Sequence, residues 1–269
     1  MYQQHPCFTT PDKNTRLRRY VDLGRFVSLL ERRALWFACP GTFDDPWEGC
    51  YPKLHYEPDF IAVSMRALGV PEEHVNDLVR VEMQSRGMDL HYRDWHAVNC
   101  WHMGEAESDA LWKLYAEHAG IAIVTDVGRL TEALSTFTEA VYIGALSYLD
   151  PDCGTLPTNN VFWPLVWKRH AFSHEREVRA VVSMGPDVFE TIRENACGIP
   201  ATKRLDPLPK GRYVPANLDA LVESVSVHPL APAWMLEVVE GVTRRYGLDC
   251  KIAQSDLAEP PPISIRKKP

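Results

Sequence analysis

Apolar positions in this chain change period several times, and each change predicts an element. Leu17-Arg18-Arg19-Tyr20 reads as a short strand. Asp22 then stands at a helix cap, ahead of Leu23, Phe26, Val27, Leu29 and Leu30 at helical spacing. Ala34 to Ala38 is an aromatic-rich strand that runs into a loop of turn formers, Cys39 to Gly49. Two helices follow at roughly 57–69 and 71–86, each with Pro near its first turn. Further on come a strand at Ala97–Trp101, a helix at Glu107–His118 and a strand at Gly120–Val124. Val141–Tyr148, Val178–Val182 and Val222–Val227 read as strands, a helix spans about 231–246, and Cys250–Ala253 is the last strand. Strands and helices interleave, but βα units do not recur regularly. The predicted class is therefore α+β: one domain over 16–257, with a mixed, mainly antiparallel sheet flanked by helices and a helical insertion near residues 57–93. Residues 1–15 read as an irregular arm, and 258–269 as an extended tail rich in Pro and Lys.

Composition narrows this further. The 269 residues are 45% hydrophobic and 24% charged, which excludes a disordered chain, a fibrous repeat and a disulfide-stapled miniprotein. Lys+Arg 29 against Asp+Glu 36 leaves a net charge of −7, so no bulk basic field exists to hold a phosphate backbone, although one basic groove stays open. No apolar run approaches the roughly 18–20 residues that span a bilayer, and no membrane partner is expected. Met1 to Pro6 lacks the basic-then-apolar plan of a secretory signal, and the 7 cysteines are scattered and never form a C-x-x-C pair. A reduced, cytoplasmic protein is the expectation.

The densest chemistry lies between Lys168 and Val182. Read as one strand, Glu175, Glu177 and Arg179 share a face, and Val178, Ala180 and Val182 share the other. Neighbouring carboxylates raise one another's proton affinity or demand a cation, and Arg179 and Lys168 are at hand. A solvated edge strand held by a Glu–Arg pair has the same pattern, and on this segment alone that plainer reading is favoured. In a second segment, Ser108, Leu111, Trp112 and Tyr115 form a stripe on one helix face, with Trp101 at the preceding strand end. Rings at that spacing usually build core, and packing is the favoured role for Trp112. Trp101 and Tyr115 stand evenly between packing and stacking on a planar heterocycle, whose polar part Ser108 and the helix N-terminus would meet. The Asp44-Asp45-Pro46-Trp47-Glu48 loop lacks calcium-loop spacing and reads as a turn held by Asp side chains. Walker and dinucleotide glycine loops, a G-x-S-x-G elbow, the helical zinc-protease pair and a complete zinc ligand set are all missing. A kinase, dinucleotide dehydrogenase or α/β-hydrolase is not expected, nor is a metal.

These blocks, in this order, resemble the bacterial domain of unknown function 2971 family. The matching blocks are Arg19-Tyr20, Leu35-Trp36-Phe37 running to Asp44–Glu48, and Cys100-Trp101 with Glu107-Ser108, Trp112 and Tyr115. Gly120–Ile123, Lys168 with Phe172 and Glu175-x-Glu177-x-Arg179, and Val227 to Trp234 complete the set, over about residues 16–257. More distantly, the layout is similar to ADP-ribosyltransferase-type folds, where an early strand offers Arg or His, a middle region Ser and aromatics, and a late strand Glu-x-Glu. The middle Ser-Thr-Ser strand motif of those folds is not present, and Ser108 falls on a predicted helix instead.

That second resemblance implies NAD⁺ as substrate. Glu177 would stabilise the oxocarbenium-like transition state, and Glu175 would act on the acceptor as general base. Arg19, with Tyr20, would meet the pyrophosphate, Trp101 or Tyr115 would stack on nicotinamide, and Ser108, Trp112, Lys168 and Arg179 would line the site. It further implies an NAD⁺-consuming transferase or glycohydrolase, of the toxin or phage-defence kind, with a protein side chain, a nucleic-acid base or water as acceptor. Two other readings compete: a non-catalytic binding module with Glu175, Glu177 and Arg179 as a salt-bridged surface, and a metal-dependent nuclease built from Asp45, Glu175, Glu177 and Lys168.

Overall fold

Strands and helices alternate along the chain in the computed structural model, which describes residues 1–87, 89, 93–116, 120–197 and 207–259, with only the backbone for 87 and 195–197. Most of the 258–269 tail, and the end of the helix expected at 107–118, lie outside the described residues. The strands are β1 (Arg16–Asp22), β2 (Ala34–Ala38), β3 (His96–Met103), β4 (Gly120–Asp126), β5 (Tyr142–Ala145), β6 (Ser147–Leu149), β7 (Trp167–Arg169), β8 (Glu177–Ser183), β9 (Gly211–Pro215), β10 (Ser224–Val227) and β11 (Lys251–Gln254). The longer helices are α1 (Leu23–Arg32), α2 (Pro58–Ala67), α3 (Glu72–Gly87), α4 (Val127–Ala133), α5 (Pro186–Cys197) and α6 (Ala233–Arg245). The class is α+β and the strand pairing is mainly antiparallel. No helix among the described residues is long and apolar enough to cross a membrane.

By its internal contacts the chain forms two compact units. The first comprises Met1–Pro11, Leu35–His102 and Leu134–Pro215; the second comprises Asp12–Ala34, Met103–Ala133 and Ala216–Pro269.

In the first unit the strands run in the order β5-β8-β3-β2-β9. β8 is antiparallel to β3 from His96↔Ser183 to His102↔Glu177, and antiparallel to β5 on its other side. It is therefore an interior strand, buried from Glu177 to Val182, and the edge-strand reading of this segment is corrected. The alternating β-branched residues explain one buried face; the charged face is buried as well. Residues 1–11 of the N-terminal arm belong to this unit, with Gln3 N–H bonded to the Val141 carbonyl at 2.9 Å and Cys7 and Phe8 packed with Val98, Val181 and Leu165. The expected helical insertion is present as α2 and α3, with Pro58 in the first turn, where its missing N–H costs nothing. β6 and β7 form a separate parallel pair that sets Lys168 opposite Tyr148.

In the second unit the order is β11-β10-β4-β1. β1 pairs antiparallel with β4 along its whole length, from Arg16↔Asp126 to Asp22↔Gly120. β10 and β11 are parallel, because α6 carries the chain back between them. Asp22 caps α1 by accepting from Arg25 N–H at 2.7 Å, and Phe26, Leu29 and Leu30 are its buried stripe. The helix expected from Glu107 is corrected: a single turn, Asp109–Leu111, passes directly into π-helical Trp112–Ala116. Beyond it the backbone comes very close to β4, since a Cβ at Gly120 would lie 1.8 Å from the Ala116 carbonyl oxygen. Only glycine fits that approach.

Candidate functional site

In the first unit, segments far apart in sequence bring five charged side chains together out of solvent. Lys168 Nζ lies 2.5 Å from Glu175 Oε2, 3.2 Å from Glu48 Oε1 and 3.3 Å from Glu177 Oε2. Arg179 Nε meets Glu177 Oε1 at 2.7 Å, and its Nη2 meets Glu48 Oε2 at 3.1 Å. No side chain of the five is more than 10% exposed, and Arg179 is wholly buried. Removing each ion from water costs several kcal/mol, so an arrangement of this kind stands only when the partners are well placed.

Local structure explains the placement. β7 holds Lys168 next to Trp167, whose indole N–H donates to the Cys50 carbonyl at 2.7 Å and fixes the strand. Glu175 ends a 3-10 turn, His170–Glu175, rather than lying in β8. Arg176 follows in the left-handed region at φ 42°, ψ 55°, and Glu177 opens the strand. The expected shared strand face of Glu175, Glu177 and Arg179 thus holds for the last two alone, and Glu175 reaches the group through its turn. A non-glycine residue in that region costs about 1 kcal/mol, a strain the flanking contacts must hold. Phe172, in the same turn, has Lys168 Nζ 5.0 Å and Arg169 Cζ 5.2 Å from its ring centroid.

Electrostatics follow from this geometry. Burial pushes Glu177 upward, but the Arg179 and Lys168 charges outweigh it and hold the carboxyl down at about 2. Burial likewise opposes the charge on Lys168, yet Glu177 and Glu48 keep its ammonium above the ordinary lysine value. The Cys100 thiol, pushed up by burial and then by Glu177, adds a hydrogen bond to that carboxylate. Tyr148 accepts from Glu177 N–H at 2.7 Å, and burial drives its phenol up to about 12. At neutral pH this is an ionised acid held by two cations, with a protonated thiol beside it and a protonated phenol at its backbone N–H.

Sequence reasoning missed Glu48. Its loop was legible as an Asp-held turn, and Trp47 N–H does donate to Asp45 Oδ1 at 3.1 Å. Nothing in the sequence ties Glu48 to Arg179, 131 positions away. Asp45 itself pairs with Arg169 at 2.8 Å, so the acids of the metal reading are held by separate cations. Among the described residues no group of His, Cys, Asp or Glu is arranged to hold a metal ion. Trp101, also in this unit, is 1% exposed and its indole N–H donates to Asn99 Oδ1 at 2.6 Å, a core placement.

The remaining candidates belong to the second unit. Tyr20 Oη accepts from Ser108 N–H at 2.8 Å, and its ring packs edge-on against Trp112 at 5.0 Å. Trp112 donates to Glu107 Oε2 at 3.0 Å and lies edge-on to His228. Ser108 caps the short turn, accepting from Leu111 N–H at 3.3 Å, so its hydroxyl serves the backbone. Arg19 lies on β1 opposite Ile123, and Tyr115, in the π-helical turn, is exposed. The predicted stripe of Ser108, Leu111, Trp112 and Tyr115 is broken by the wider π-helical winding, which buries Trp112 and leaves Tyr115 outside.

No family model and no curated protein matches this chain.

Proposed function

We propose that the first unit is a ribosyl-transfer site that consumes NAD⁺, as transferase or glycohydrolase. The observation that carries this reading is the charge count of the buried cluster. Three carboxylates, Glu48, Glu175 and Glu177, meet two cations, Lys168 and Arg179, which leaves one formal negative charge in excess. Heterolysis of the nicotinamide–ribose bond sends the bonding pair out with nicotinamide and leaves positive charge on the sugar. A fixed carboxylate, ionised in advance and shielded from water, stabilises that charge where it grows. Glu177 suits the role because its two cations keep it ionised at every working pH. Lys168's contact with Glu177, at 3.3 Å the longest of its three, is the one a ribose hydroxyl would take over. The acceptor is then water, a protein side chain or a nucleic-acid base. An NAD⁺-depleting effector of the toxin or phage-defence kind is the biological form this chemistry takes.

A second reading has its own support. The cluster is closely paired and nearly closed to solvent, which also describes a charged core that locks the fold of a non-catalytic binding module. Incubating the purified chain with NAD⁺ separates the two. The enzymatic reading predicts loss of NAD⁺ with appearance of nicotinamide, abolished by Glu177→Gln with the fold retained. No turnover, together with no NAD⁺-induced rise in melting temperature, would favour the binding module.

A further inference from the structure

We propose that the outward face of α6 (Ala233–Arg245) binds a second copy of this chain, the two helices lying antiparallel, whatever reaction the first unit performs. α6 buries Met235, Val239 and Thr243, one turn apart. Away from that stripe lie Trp234, Glu237, Val238, Gly241, Arg244 and Arg245, all exposed. Trp234 is 59% exposed, Val238 follows one turn on, and Leu230, just before the helix, is 64% exposed. Single exposed apolar side chains are ordinary, but an indole with a valine beside it on one helix face is a ready contact surface. A Cβ at Gly241 would meet nothing within 4 Å, and its φ is not in the left-handed region, so nothing among the described residues calls for glycine there. Glycine weakens a helix interior, and its use here suits a second backbone that approaches closely.

The charges select the second copy and its direction. Glu237 and Arg244 stand seven residues apart, which brings them to one edge of the exposed face, two turns from each other. Among the described residues neither side chain has an ion-pair or hydrogen-bond partner. In a two-fold pair each contact occurs twice, and each edge of the face meets the same edge of the copy. Antiparallel helices crossing at the level of Glu240 therefore bring Glu237 beside Arg244 of the second copy, and Arg244 beside its Glu237. The same crossing lays Val238 on the second copy's Gly241, where no side chain stands in the way, and the Trp234 ring near its Arg245 guanidinium. A parallel pair would set Glu237 on Glu237 and Arg244 on Arg244, and like charges reject it. One helix pair is a small interface, so the association is reversible and depends on concentration.

The test is the mass of the full chain in solution, by sedimentation equilibrium over a wide range of concentration. The parent is expected to rise from the mass of one chain toward that of two. Glu237→Arg and Arg244→Glu each oppose like charges at both contacts and should weaken association about 10-fold, with circular dichroism unchanged because both sites are exposed. Mixed in equal amounts, these two variants should pair as tightly as the parent, since each contact again holds one acid and one base. Trp234→Ala, which removes the anchoring ring, and Gly241→Leu, which fills the space for Val238, should weaken it as well. A parent that stays a single chain at every concentration would overturn the inference and leave this face to a different protein. Dimers that tolerate both charge reversals, or variants whose mixture pairs no better than each alone, would put the contact elsewhere and overturn it too.

Discussion

The charged cluster around Lys168 in the first unit and the aromatic cluster around Trp112 in the second are both buried, yet they satisfy their polar atoms in different ways. Around Trp112, one carboxylate, Glu107, accepts from an indole N–H and from the Ser255 hydroxyl, and Tyr20 accepts from a backbone N–H. These are mostly neutral donors on apolar scaffolding, the ordinary means of filling a core. Around Lys168, full charges answer full charges, and the acids outnumber the cations. A hydrophobic replacement of such a cluster is often as stable or more so, so stability alone does not account for keeping it. That contrast is why the functional assignment goes to the first unit.

The largest expected effect is on the charged side of the comparison. Lys168→Met removes the cation shared by three carboxylates and should cost about 3–5 kcal/mol, measured by denaturant unfolding. Adding Glu175→Gln to it should recover part of that loss, since one uncompensated acid goes with it. Strict additivity of the two changes would deny the coupling. Trp112→Ala should cost a similar 3–5 kcal/mol, but mainly through the cavity left by the ring, with the lost indole bond to Glu107 a smaller part.

Acid should separate the contributions further. His55 and His96 are held by burial at about 4, below their usual 6.5, so their contribution to stability is full above pH 6.5 and is lost as pH falls toward 4. Asp89, raised by burial to about 6, works the other way and returns some stability over the same window. Glu177, held at about 2 against 4.5, contributes stability on the order of 3 kcal/mol that is lost only as pH drops from 4.5 toward 2. Glu177→Gln should therefore flatten the lower part of the stability–pH curve and leave the upper part alone. The smallest effect is at the cap: Ser108→Ala should cost about 1 kcal/mol and leave NAD⁺ turnover intact.

Much of the scaffold was legible in the residues. Asp22 and the stripe behind it gave α1, Pro58 marked the start of α2, and the β-branched run gave β8. Glu177, Arg179 and Lys168 were legible as an acid with its cations, because alternation alone puts the first two on one side of a strand. Three features were not legible, each for a physical reason. Glu48 joins through tertiary contact alone, and loop sequence does not encode a partner on a distant strand. Glu175 leaves the strand because Arg176 takes a left-handed conformation that no glycine announces. Trp112 and Tyr115 part company because π-helical winding changes which residues share a face, and its hydrogen bonds leave no periodic signature.

The most direct test of the central claim is the rate of NAD⁺ loss with the purified chain and its Glu177→Gln variant at one pH, with circular dichroism on both. The variant turns three acids against two cations into two against two, so its fold should hold. The account predicts nicotinamide release by the parent and at least a 100-fold lower rate in the folded variant. Equal rates in the two proteins would contradict it.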